Sequence, residues 1–77
     1  MRMEIYNTNF GINVKMDTVT LRNFVLGGNL GNYDADMLKT LLNNAVESFR
    51  KCGFNVPSLA DAKFANEDNK IVVQFPI

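Results

Sequence analysis

The chain contains no histidine and no tryptophan, and Cys52 is its only cysteine. The histidine and cysteine counts each remove a class of chemistry. Without histidine, the commonest general base, the commonest metal ligand and every Ser-His or Cys-His nucleophile pair are missing. With only one thiol besides, a single copy cannot build an ordinary Cys/His zinc site, so neither metal nor cofactor is expected. A lone cysteine also closes no internal disulfide, which excludes a secreted disulfide scaffold and fits a reducing cytoplasm.

An excess of charge of one sign is missing too. Eight Lys and Arg balance eight Asp and Glu, so no net field steers the protein toward nucleic-acid phosphates or an anionic membrane. The basic residues are scattered, and only Arg50 and Lys51 adjoin. No stretch approaches the roughly 18–20 apolar residues of a membrane span, and the start of the chain alternates instead of forming a basic-then-apolar leader. A membrane is therefore not an expected partner.

What is present is globular: 47% hydrophobic and 21% charged residues in a chain of 77, which fits one domain over 1–77. A chain this short buries only roughly 60–65% of the surface its unfolded form exposes, so self-association, as a homodimer first of all, is an obvious way to hide more.

The clearest strand covers 10–16, where Phe10, Ile12, Val14 and Met16 alternate with Gly11, Asn13 and Lys15. Met3 and Ile5 alternate ahead of it, and Asn7-Thr8-Asn9 is turn chemistry, so an opening β-hairpin is predicted. Residues 18–26 suit either a strand (Val19, Thr20, Leu21) or a short helix (Leu21, Phe24, Val25). The helix is preferred, because Asp17-Thr18 carries no residue suited to positive φ and makes a poor hairpin turn. Residues 34–52 form the best-specified element: Met37, Leu38, Leu41, Leu42, Ala45, Val46 and Phe49 repeat at threes and fours, Asn32 or Asp34 can cap the start, and Gly53 ends it. A second hairpin is predicted between 62–65 and the run Ile71, Val72, Val73, Phe75, turning at Asn66-Glu67-Asp68-Asn69. That last run lacks strict alternation, which suggests burial on both faces or cover by a partner, and Pro76 places its end at an edge or terminus. The expected architecture is α+β: an antiparallel sheet of three to five strands packed on one main amphipathic helix, about 34–52.

Few constellations carry chemistry. Asp34 with Asp36, and Glu67 with Asp68, are the close acidic pairs, and helix polarity and turn solubility account for both. The glycine cluster ahead of the helix, Gly27, Gly28, Asn29 and Gly31, is a weak candidate ligand loop, since glycines feeding a helix start can bind phosphate. It lacks the Lys-Ser/Thr of a P-loop, and Asp34 and Asp36 would repel an anion. Cys52 falls at the edge of the apolar stripe and reads as a semi-buried structural thiol. Phe10, Phe49 and Phe75 are in phase with aliphatic neighbours and read as core, while Tyr33 suits a rim.

These features favour a non-enzymatic protein-binding module: a small regulator or inhibitor acting through a protein–protein interface, such as phages and mobile elements encode as accessory proteins. Tyr33, Val72, Val73 and Phe75 are its candidate interface residues, with self-association through the C-terminal strand. The alternatives are a nucleic-acid-associated domain using Lys and Arg on one sheet face, not favoured by the charge balance, and a small-molecule or nucleotide binder using the loop from Gly27 to Gly31.

Overall fold

In the computed structural model, which describes residues 1–25 and 30–76, the chain runs β1 (Arg2–Thr8), β2 (Gly11–Met16), β3 (Val19–Val25), α1 (Ala35–Lys51), β4 (Lys63–Glu67) and β5 (Lys70–Gln74), with single 3-10 turns at Leu30–Asn32 and Leu59–Asp61. The strands form one antiparallel sheet in the order β3-β2-β1-β5-β4. The fold is α+β, as the patterning predicts.

β1 and β2 pair from Met3↔Met16 to Thr8↔Gly11, which moves the turn to Asn9-Phe10. Phe10 therefore leaves the strand and stands 77% exposed, not in the core where its phase with Ile12 placed it. Thr8 braces this turn: its hydroxyl donates to the Gly11 carbonyl at 2.9 Å and accepts from the Phe10 amide at 3.2 Å.

Residues 19–25 are a strand, which corrects the preferred helix. Met16 pairs directly with Val19, and Asp17 supplies the positive φ of the turn at 54°. Aspartate is one of the few non-glycine residues that visit this region at small cost. Pairing also turns Val19 and Leu21 onto the core, a gain no isolated short helix could match.

The helix is capped as anticipated, with the Asp34 carboxylate accepting the Met37 amide at 2.8 Å. Its far end closes on Gly53 at φ 98°, a conformation open to glycine, whose amide donates to the Arg50 carbonyl at 3.0 Å. The chain then turns back under α1. Phe54 meets Phe49 edge to face at 5.7 Å between ring centres, Val56 is buried, and the Arg50 guanidinium donates to the Val56 carbonyl at 2.9 and 3.3 Å. Cys52, by contrast with the semi-buried thiol expected, is exposed.

The last hairpin turns at Asp68-Asn69, both at positive φ (45° and 65°), the geometry that matches the twist of flanking strands. Its second strand, β5, is interior: β1 pairs with one side of it and β4 with the other. Val73 and Phe75 are fully enclosed by the chain's own core, at 0% and 1% exposure. The edge that Pro76 allowed for is therefore not at this strand, while burial on both of its faces is found, with Val72 on one and Val73 on the other.

One face of the sheet carries the core. Met3, Ile5, Ile12, Val14, Met16, Val73 and Phe75 pack with Leu41, Leu42, Ala45, Val46 and Phe49 of α1. Val72 is buried yet lies outside that cluster, on the opposite face, directly across from Glu4 on one side and Ala65 on the other. No residue of β4 joins the core, and all five of its residues are exposed.

Candidate functional site

Two features of the open half of the sheet stand out: a groove on the core face beside β4, and a set of ion pairs on the opposite face.

The groove forms where α1 packs with the core strands and β4 contributes no residue to that core. Along the helix, Ala35, Leu38, Lys39, Leu42 and Asn43 make one stripe at spacings of three and four, facing Phe64 and Asn66 of β4 and Ile71 of β5. The turn at Leu59–Asp61 closes one end with Leu59 and Ala60, and it is held by the Ser58 hydroxyl accepting the Ala60 amide at 3.2 Å. The resulting cleft, about 670 Å³, is walled mainly by Leu38, Leu42, Leu59, Phe64 and Ile71. Phe64 stands 52% exposed, an unusual position for so large an apolar side chain in a strand otherwise made of Lys, Ala, Asn and Glu. Lys39 is the only charged residue in the lining, and among the described residues it has no ion-pair partner.

On the opposite face, Glu4 accepts from Lys70 at 2.8 Å and from Arg2 at 3.2 Å, and Arg2 reaches on to Glu67 at 3.3 Å. The ladder ties β4, β5 and β1 together, and the aliphatic stems of these side chains explain how Val72 is dry on a polar face. The Lys70 hydrogen bond, aided by the charges of Lys70 and Arg2 and opposed by partial burial, holds the Glu4 carboxyl below its ordinary range. These contacts engage two of the cations that a phosphate-binding face would need.

The candidate interface residues do not come together as a surface. Val73 and Phe75 belong to the core, Val72 lies under the ion pairs, and Tyr33 is half-buried at the start of the helix, lining a smaller hollow with Met37 and Leu41. Of the candidate ligand loop, Gly27, Gly28 and Asn29 lie outside the described residues. Gly31 sits in the short turn that the Asn7 side chain anchors by accepting the Leu30 amide at 2.9 Å.

Sequence reasoning singled out none of Phe64, Leu59 and Lys39 as site residues. One signal was available: Phe64 is the lone large apolar residue in a short strand otherwise made of Lys, Ala, Asn and Glu.

Comparison with known protein families, with characterised proteins and with solved structures finds no match to this chain. Among the described residues no helix is long and apolar enough to cross a membrane.

Proposed function

We propose that the protein is a non-enzymatic binding module whose docking site is the groove between α1 and β4, and that its ligand is a protein segment presenting large apolar side chains next to a carboxylate. The carrying observation is the half-exposed Phe64 facing Leu38, Leu42, Leu59 and Ile71 across an open cleft. Apolar walls of this kind gain stability when another chain removes them from water, at roughly 25 cal/mol per Å² buried. Lys39 supplies the polar specificity: an unpaired ammonium beside apolar walls favours an acidic neighbour in the ligand and disfavours a basic one. By occupying part of a partner's surface in this way, so small a chain acts as a regulator or inhibitor of a larger protein.

Panning a randomised peptide library on the purified protein tests this reading. Selected peptides should carry two or more large apolar residues with a nearby Asp or Glu, and should bind neither Phe64→Ala nor Lys39→Glu. Failure to enrich any sequence, or peptides that bind Phe64→Ala as well as the parent, would count against it. Phe64 and Lys39 are exposed, so both variants should keep the fold.

A further inference from the structure

The two edges of the sheet differ in a way that has consequences for assembly. At β3, the pairing with β2 slips between Ile12 and Val14, an irregularity of the kind that spoils an edge as a template for further strands. At β4 the register with β5 is unbroken from Lys63↔Gln74 to Glu67↔Lys70, the strand contains no proline, and every residue is exposed.

The direction of the free backbone groups follows from the ladder. The Phe75 amide donates to the Met1 carbonyl at 2.8 Å, so Phe75 bonds toward β1. By the alternation of antiparallel pairs, Val73 and Ile71 also bond toward β1, while Gln74, Val72 and Lys70 bond toward β4. Their partners Lys63, Ala65 and Glu67 are therefore occupied, and Phe64 and Asn66 direct their amides and carbonyls outward.

The sequence of the strand, Lys63-Phe64-Ala65-Asn66-Glu67, is complementary to itself when reversed. We infer that β4 pairs antiparallel with β4 of a second copy about a two-fold axis at Ala65, joining two sheets into one. In that register Phe64 of each copy faces Asn66 of the other, and these are the residues whose backbone groups are free, so the hydrogen-bonding phase and the side-chain pattern agree. Lys63 of each copy faces Glu67 of the other, twice by symmetry, on the face that already carries Arg2 and Glu4. Glu67 accepts from Arg2 through one carboxylate oxygen, and the other is available to Lys63 of the second copy. The two alanines meet on the axis, where small side chains permit close approach. Such an interface is isologous, closes at two copies and is small, as in weak or transient complexes. It rests on the edge geometry and the charge pattern, independently of what the groove binds.

Sedimentation equilibrium on the wild type, Lys63→Glu, Glu67→Lys and an equimolar mixture of the two variants tests the pairing. Each variant alone places like charges opposite each other at both ends of the interface, whereas the mixture restores opposite charges at both. The wild type should dimerise at concentrations up to the order of 100 μM, and each variant should associate about tenfold more weakly. The mixture should recover a heterodimer of near wild-type strength. Circular dichroism should show both variants folded. A wild type that stays monomeric, variants that dimerise as well as the parent, or a mixture no stronger than its components would each overturn the inference.

Discussion

The strands β1 and β2 and the strand β4 belong to one sheet but serve different ends. In the first pair every core-facing apolar residue from Met3 to Met16 is fully buried, whereas β4 buries none of its five residues. One helix of seventeen residues cannot cover five strands, so the fold spends its helix on one half and leaves the other open. Stability thus comes from the covered half, while the open one leaves apolar surface such as the Phe64 ring in water. The same division separates a sheet edge with a slipped register from one whose free backbone groups remain in phase.

Truncation on the two halves should expose this contrast most strongly. Ile5→Ala, in the covered half, should cost about 2–5 kcal/mol, a large share of the stability of so small a domain. Phe64→Ala, although it removes more side chain, should cost less than about 1 kcal/mol because half of that ring is already in water. Denaturant titration measures both, and similar losses would mean that β4 belongs to the core after all.

A smaller effect probes the bond between the halves. The folded-state pKa of Glu4 lies below its ordinary value of 4.5, so its ion pairs add stability above that pH and lose it as the pH falls through the lower folded value. Glu4→Gln should therefore destabilise the protein at neutral pH, by no more than about 1 kcal/mol for so accessible a set of pairs. The difference from wild type should shrink steadily on acidification. A difference constant between neutral pH and pH 3 would assign the ladder no electrostatic role.

What the sequence makes legible follows the range of the interactions concerned. α1 is readable because its stripe, its Asp34 cap and its Gly53 stop are all local. The last hairpin is readable for the same reason, since Asp68 and Asn69 suit a tight turn. β3 is misread because Asp17 takes positive φ without a following glycine or asparagine to mark the turn, whereas Asp68 is followed by Asn69. Phe10 is misread because alternation continues smoothly across the boundary between turn and strand. Strand order lies further out of reach: nothing local in Lys70–Gln74 shows that β1 will claim one side of it and β4 the other, which is why Val73 and Phe75 read as interface. The groove depends on that order together with the placement of α1, so its residues are individually visible and jointly hidden.

Amide hydrogen exchange resolved by residue, followed from dilute to concentrated protein, tests the central claim that β4 is an open edge offering a phased set of backbone groups. In dilute solution the amides of Phe64 and Asn66 should exchange fast and those of Ala65 and Glu67 slowly, an alternation set by the pairing with β5. As concentration rises, Phe64 and Asn66 should become protected while the amides of β3 stay unchanged. Protection of Phe64 and Asn66 already at high dilution, or no response to concentration, would contradict the account.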